Sequence, residues 1–190
     1  VDGWQVDAIY SGTQKCLSCV PGLSPISFSQ QAVDVIKNRK TKVQSWFLDM
    51  ELVMAYWGQG GKRAYHHTAP VNSIYALHES LRILHEEGLQ AAWQRHADMH
   101  LALKAGLENI GLEFMVEGTY RLPQLNLVGI PDGVDDANIR AQLLNDFDLE
   151  IGAGLGELAG KAWRIGLMGY GSNRKNVDYC VNALTSVLKR

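Results

Sequence analysis

Two helical stretches that meet at a single glycine constrain this chain more than any other feature. From Asn72 to Glu87, the residues Ile74, Leu77, Leu81 and Leu84 recur at helical spacing, and Gly88 follows. From Leu89 to Ile110 runs a second stretch carrying Leu89, Trp93, Leu103, Leu107 and Ile110, long enough for about six turns. Short strands and helices alternate before this pair and again from Gly111 onward. That layout predicts the tail of an α/β domain over residues 1–87, followed by a small domain of sheet and helices over residues 88–190.

The other elements follow from local patterning. Val6 to Tyr10 alternates apolar residues like a buried strand and runs into the small-residue turn Ser11-Gly12-Thr13-Gln14-Lys15. Pro25 to Phe28 predicts a second short strand, Gln30 to Asn38 a helix with Ala32, Val33 and Ile36 on one side, and Ser45 to Tyr56 another helix. Gly58-Gln59-Gly60-Gly61 is a loop by composition. In the second half, Glu113–Glu117, Asn126–Ile130, Leu149–Ile151 and Ala162–Met168 read as strands. Asp135–Phe147 and Asn173–Leu188 read as helices, the first with Ile139, Leu143 and Phe147 inward, the second with Val177, Val181, Leu184 and Leu188 aligned.

Composition narrows the function classes. Hydrophobic residues make up 46% and charged residues 20% of the 190 residues, which suits a globular domain with a real core. A net charge of −2 gives no clustered basic face for nucleic acid or anionic membrane, and Lys37 to Lys42 is too short a basic run to supply one. Cys16, Cys19 and Cys180 form an odd set with no repeated spacing, as expected of reduced thiols in an intracellular protein, and no second Cys/His pair accompanies Cys16 and Cys19 to make a metal site. No apolar run is long enough to span a bilayer. The ending Val187-Leu188-Lys189-Arg190 is not a peroxisomal tripeptide, which makes cytoplasm the expected compartment.

Four places carry candidate chemistry. Lys15 follows a strand and a turn of small hydroxyl residues, where a lysine can serve as a Schiff-base nucleophile and where Ser11 or Gln14 can donate hydrogen bonds; a plain surface lysine is the alternative. Arg164 lies on a short apolar strand, on the face opposite Trp163, Ile165 and Leu167. There a guanidinium needs an anionic partner, either a substrate carboxylate or a structural Asp or Glu. In Tyr65-His66-His67-Thr68-Ala69-Pro70, adjacent histidines on extended chain point to opposite sides and make a poor metal site, while the hydroxyls of Tyr65 and Thr68 near a helix start can hold a phosphate or simply cap the turn. Gly152-Ala153-Gly154-Leu155-Gly156 lacks the spacing of a dinucleotide fingerprint and reads as a loop or turn.

Taken in order, these segments resemble a known family. Ser11 to Leu17 with Pro21 to Ser29 closely resembles the lysine segment of alanine–glyoxylate (serine–pyruvate) aminotransferases, class V enzymes of the fold-type I pyridoxal-phosphate fold. Tyr65 to Pro70 and Trp163 to Gly169 look like two further stretches of that family, and the similarity extends over essentially the whole chain as its C-terminal half. The resemblance implies that Lys15 forms the Schiff base with pyridoxal 5'-phosphate and that Gln14 touches the cofactor phosphate. It also implies that Tyr65 and Thr68 reach the phosphate of the neighbouring subunit in a homodimer with shared active sites, and that Arg164 binds the substrate carboxylate. No metal is implied. The family's aspartate at the pyridine nitrogen, its stacking aromatic residue and its glycine-rich phosphate loop precede the segment matched by Val1, so an N-terminal half is expected as a further piece.

The implied reaction is transamination of a small amino acid, alanine or serine, with glyoxylate or pyruvate as acceptor, Lys15 moving the α-proton. A ureidoglycine–glyoxylate transaminase is a near alternative, since its distinguishing residues lie upstream. A sulfur-transferring lyase needs a cysteine on a mobile loop after the lysine, and Cys180 falls mid-helix on a buried face instead. The alternative from another class is a truncated, non-catalytic dimerising module; retention of Lys15, Tyr65, Thr68 and Arg164 together speaks against it.

Overall fold

A computed structural model describes residues 2–58 and 64–189. These form two compact units: residues up to 14 with 19–78, and residues 15–18 with 79–190. The dividing point after His78 falls inside a helix, and the four-residue segment beginning at Lys15 belongs to the second unit. Of the expected glycine-rich loop, Gln59 to Gly61 lie outside the described residues.

In the first unit, β1 (Ala8–Tyr10) and β2 (Ile26–Phe28) form an antiparallel ribbon with Ile9 opposite Ser27. The strand at Ala8–Tyr10 is not buried as its alternation suggests: all three residues are exposed, because among the described residues no second layer covers the two-stranded ribbon. Helix α1 (Gln30–Lys37) starts where Ser29 accepts the N–H of Ala32, and it turns Ala32, Val33 and Ile36 to its more sheltered side.

Helix α2 spans Met50–Tyr56, shorter than the Ser45–Tyr56 expected from apolar content. Two polar caps decide its start. Ser45 accepts the Leu48 N–H within a turn, and Asp49, in extended backbone, accepts the Glu51 N–H at 3.0 Å. Helix α3 (Val71–Glu87) begins in the first unit and ends in the second. Its apolar stripe buries no residue, with Ile74 and Leu81 each 47% exposed.

The second unit holds the core. Helix α4 (Leu89–Asn109) follows Gly88, which takes φ 86°, a backbone geometry that breaks α3 from α4. The sheet is antiparallel throughout, in the order β3 (Leu125–Gly129), β5 (Ala162–Gly166), β4 (Gly152–Ala153). Helices α5 (Asp136–Phe147) and α6 (Arg174–Leu188) open on side-chain caps from Asp135 and Asn173. Leu103 and Leu107 of α4, Leu143 of α5, Trp163 of β5 and Leu184 of α6 are fully buried together. Trp163, Ile165 and Leu167 share the buried face, as their alternation predicts.

Two expected strands differ. Glu113–Glu117 makes a single bridge, Phe114 to Val128, flanked by Met115 N–H to Leu127 O and Gly129 N–H to Glu113 O. Arg121 then captures the Val116 carbonyl at 2.6 Å and the chain turns away. Leu149–Ile151 is not the strand; pairing begins at Gly152, opposite Arg164. Leu149 is spent on ending α5, where its N–H bonds Leu143 O and Asp148 takes the left-handed conformation.

Candidate functional site

Lys15 sits on a closed turn. Just before it, fully buried Thr13 donates its hydroxyl to Val20 O at 3.0 Å and accepts the Cys19 N–H at its carbonyl, pinning both ends of the loop in the first unit. Lys15 itself accepts the Ser18 N–H at 2.9 Å, and Ser18 adopts φ 56°, a left-handed conformation that is uncommon outside glycine. The Lys15 side chain is exposed, and among the described residues no hydrogen bond or ion pair engages its amine. Gln14 is exposed and folds back over Gly12, its Oε1 2.9 Å from where a Cβ on that glycine would stand.

Tyr65 and Thr68 are brought together in the first unit, their hydroxyl oxygens 2.6 Å apart and both residues exposed. Of such a pair one hydroxyl donates to the other, which leaves the second proton for an outside acceptor. The neighbouring histidines depart from expectation: they do not point apart. His67 lies at a bend, not on extended chain, so the two rings meet edge to face with their Nδ1 atoms 2.7 Å apart. His66 is buried, stacked on Trp46, with Nε2 bonded to the Trp46 carbonyl at 3.1 Å. Both Nδ1 atoms therefore face each other, and no group of three or more His, Cys, Asp or Glu capable of holding a metal occurs among the described residues.

Arg164 lies on β5 in the second unit, half-buried, with Nε donating to Ala153 O at 2.7 Å. The guanidinium lies flat against Gly152, whose absent side chain leaves room for it: a Cβ there would stand 3.2 Å from Nη2. Neither Nη finds a carboxylate among the described residues. The structural ion pair that the sequence left open is thus absent from the described residues, and the two-pronged end of the fork is free to take a carboxylate.

One cluster had no signal in the sequence. Glu87, at the end of α3, bonds Arg95 of α4 through both carboxylate oxygens, while Arg95 Nη1 donates to the carbonyls of Gly169 and Ser172 at 2.7 and 2.8 Å. The guanidinium holds the Glu87 carboxyl below its ordinary value, and the carboxylate holds Arg95 above its own. Buried His96 donates from Nδ1 to Ala92 O and accepts the Gly169 N–H at Nε2, 3.0 Å away. Beside this cluster lies a cavity of about 550 Å³ lined by Cys16, Leu17 and Ser18 of the lysine turn, by Ile83 and Trp93, and by Tyr170. Glu87 and Arg95 are eight apart across a helix break, farther than the three or four positions at which side chains on one helix meet.

No family model matches the chain. Among individual proteins, it is 43% identical over 192 residues to the alanine–glyoxylate aminotransferase of Felis catus, covering all of this chain and 46% of that one. The crystal structure of an alanine–glyoxylate aminotransferase from Nostoc sp. matches with a TM-score of 0.94 at 51% identity, over 98% of this chain and 49% of that one. Over the length it spans, the chain is similar to alanine–glyoxylate aminotransferases. The ureidoglycine–glyoxylate aminotransferase of Bacillus subtilis is similarly related, with a TM-score of 0.96 at 39% identity, over all of this chain and 49% of that one. The fold of the chain is accordingly a C-terminal part of the pyridoxal-phosphate-dependent aminotransferase fold. The chain spans about half the length of the relatives it matches. No helix among the described residues is long and apolar enough to cross a membrane.

Proposed function

We propose that this chain carries the catalytic lysine of a pyridoxal-phosphate-dependent aminotransferase, which moves an amino group from alanine or serine to glyoxylate or pyruvate. Lys15 is the residue on which the proposal stands: an exposed amine, unpaired among the described residues, on a hydrogen-bonded turn within a chain that matches aminotransferases along its whole length.

The donor set fits the cofactor. Lys15 offers a primary amine for an aldehyde, the Tyr65–Thr68 pair offers a hydroxyl proton to a phosphate oxygen, and Gln14 offers an exposed amide beside a glycine. These are the residues that would hold pyridoxal phosphate, Tyr65 and Thr68 acting on the cofactor of the second subunit in a homodimer. When bound, the cofactor supplies an electron sink for the substrate's α-carbon. The chain's own residues do the rest. The Lys15 amine takes the α-proton and returns it, as base and then acid. Arg164 orients the substrate through its carboxylate, using the fork left open by Gly152. Transamination in two half-reactions follows, in a cytoplasmic enzyme.

Borohydride reduction of the holoenzyme followed by peptide mass mapping tests the proposal. A phosphopyridoxyl adduct confined to the Lys15 peptide is expected, with parallel-line kinetics for alanine and glyoxylate. No adduct at Lys15 overturns it. The similarity to the ureidoglycine–glyoxylate aminotransferase favours a second donor, ureidoglycine, and direct comparison of kcat/KM for the two donors separates the readings.

A further inference from the structure

We propose that Ser18 is a positioning residue for Lys15, locking the lysine turn to the loop that follows the strand of Arg164. This rests on the reading of Lys15 as the cofactor lysine. The Ser18 hydroxyl accepts the Tyr170 N–H at 2.7 Å, a contact that joins positions 152 residues apart within one compact unit. Its own N–H closes the turn on Lys15 O, and the residue holds φ 56° to do both. A serine kept in a left-handed conformation costs about 1 kcal/mol or more, and surrounding contacts must hold it there.

The loop on the other side is built to receive this turn. Gly169 also takes φ 56°, and a Cβ on it would stand 1.9 Å from Ser18 Oγ and 2.8 Å from Cys16 O, so no other residue allows the approach. Gly169 is fixed from two directions, its N–H by His96 and its carbonyl by Arg95, and the same guanidinium holds the carbonyl of Ser172. Arg95 is in turn held by Glu87. The loop is therefore held by contacts other than Ser18, and Ser18 is the side chain through which the lysine turn reads its position. Because the loop runs on from β5, the strand of Arg164, the hydroxyl sets where the Lys15 amine stands relative to the carboxylate-binding fork. Proton transfer between a lysine and a bound substrate is sensitive to such placement, an error of about 1 Å being worth up to ~100-fold in rate.

The test uses the holoenzyme and three substitutions. Ser18→Gly removes the acceptor but relieves the left-handed strain, so folding is spared. Ser18→Asn tolerates the same backbone and offers an oxygen to Tyr170. Ser18→Ala removes the acceptor and keeps the strain. The expected result for Ser18→Gly is an unchanged melting temperature, a kcat lowered about tenfold with KM held, and a displaced pH midpoint for the cofactor's visible absorption. Slower borohydride trapping at Lys15 accompanies these, and Ser18→Asn restores all three. A Ser18→Gly enzyme with parental kcat and absorption titration overturns the positioning role while leaving Lys15 as the cofactor lysine. Loss of melting temperature and kcat together, not restored by Asn, shows a purely structural contact and overturns it as well. Absence of any Lys15 adduct in the parent enzyme overturns both.

Discussion

Glu87 and Arg95 face each other across the break between α3 and α4, the guanidinium presenting Nε and Nη2 to the two carboxylate oxygens. Both side chains are less than a third exposed, so solvent screens the pair only in part. Its consequence is a pH dependence with a definite sign. The Glu87 carboxyl is held below its ordinary value of 4.5, chiefly by the hydrogen bond from Arg95, so the unfolded chain binds that proton more readily than the folded one. The pair's contribution is therefore full above about pH 4.5 and is lost as pH falls through the lower folded value. Glu87→Gln should flatten the acid limb of stability measured by urea unfolding from neutral pH downward. An acid limb identical to the parent's sinks this account.

Gly106 of α4 lies against Val181 of α6, where a Cβ would stand 2.6 Å from Val181 Cγ2. Helix–helix contact this close leaves no room for a methyl group. Gly106→Ala is expected to destabilise by about 1–3 kcal/mol despite the better helix propensity of alanine. Adding Val181→Ala should return part of that loss, a non-additivity readable in a double-mutant cycle. Strict additivity argues that the two sites do not touch.

Asn126 is buried at the centre of a polar bridge, its Oδ1 2.6 Å from His100 Nδ1 and its Nδ2 donating to Ile165 O at 3.2 Å. Asn126→Leu leaves a buried imidazole nitrogen unmatched, while the Ile165 carbonyl keeps its backbone partner in the sheet. A loss of about 1–3 kcal/mol is expected in thermal unfolding. A leucine variant as stable as the parent shows that water or a rearrangement satisfies the imidazole.

The three thiols should separate cleanly by accessibility. Cys16 is exposed, Cys19 and Cys180 are buried, and burial pushes the Cys180 thiol up to about 11. Iodoacetamide at neutral pH is expected to modify Cys16 alone until denaturant is added, as mass mapping will show. Alkylation of Cys180 in the folded protein contradicts the packing of α6.

Arg164 has a prediction tied to its proposed role. Arg164→Lys keeps the charge but loses the planar fork, and should raise KM for the amino acid about 10–100-fold while kcat changes little. Gly152→Ala crowds the guanidinium from below and should raise KM in the same direction by less. A fall in kcat with KM unchanged removes Arg164 from carboxylate binding.

Local patterning determined much of this protein. The periods of Ile139 and Leu143, and of Val177 and Leu184, mark the buried faces of α5 and α6, and the alternation of Trp163, Ile165 and Leu167 marks the inner face of β5. Those signals survive because each face meets one continuous core. The motifs around Lys15, Tyr65 and Arg164 were equally legible, since the resemblance is carried by consecutive residues. Patterning failed where a cap or a missing neighbour outweighed it: Asp49 delays α2, the end of α5 consumes Leu149, and the ribbon at Ala8–Tyr10 stays exposed with no covering layer among the described residues.

Tertiary structure alone decided what the functional groups touch. A bend at His67 turns two histidines toward each other, Gly152 rather than an acidic residue underlies Arg164, and Glu87, Arg95, His96 and Gly169 converge on one loop. The contact between Ser18 and Tyr170 could not be read from either segment, because each is an unremarkable turn by itself. Periodicity reports which side of an element is apolar; which residue lies opposite, many positions away in the chain, is settled only when the elements pack.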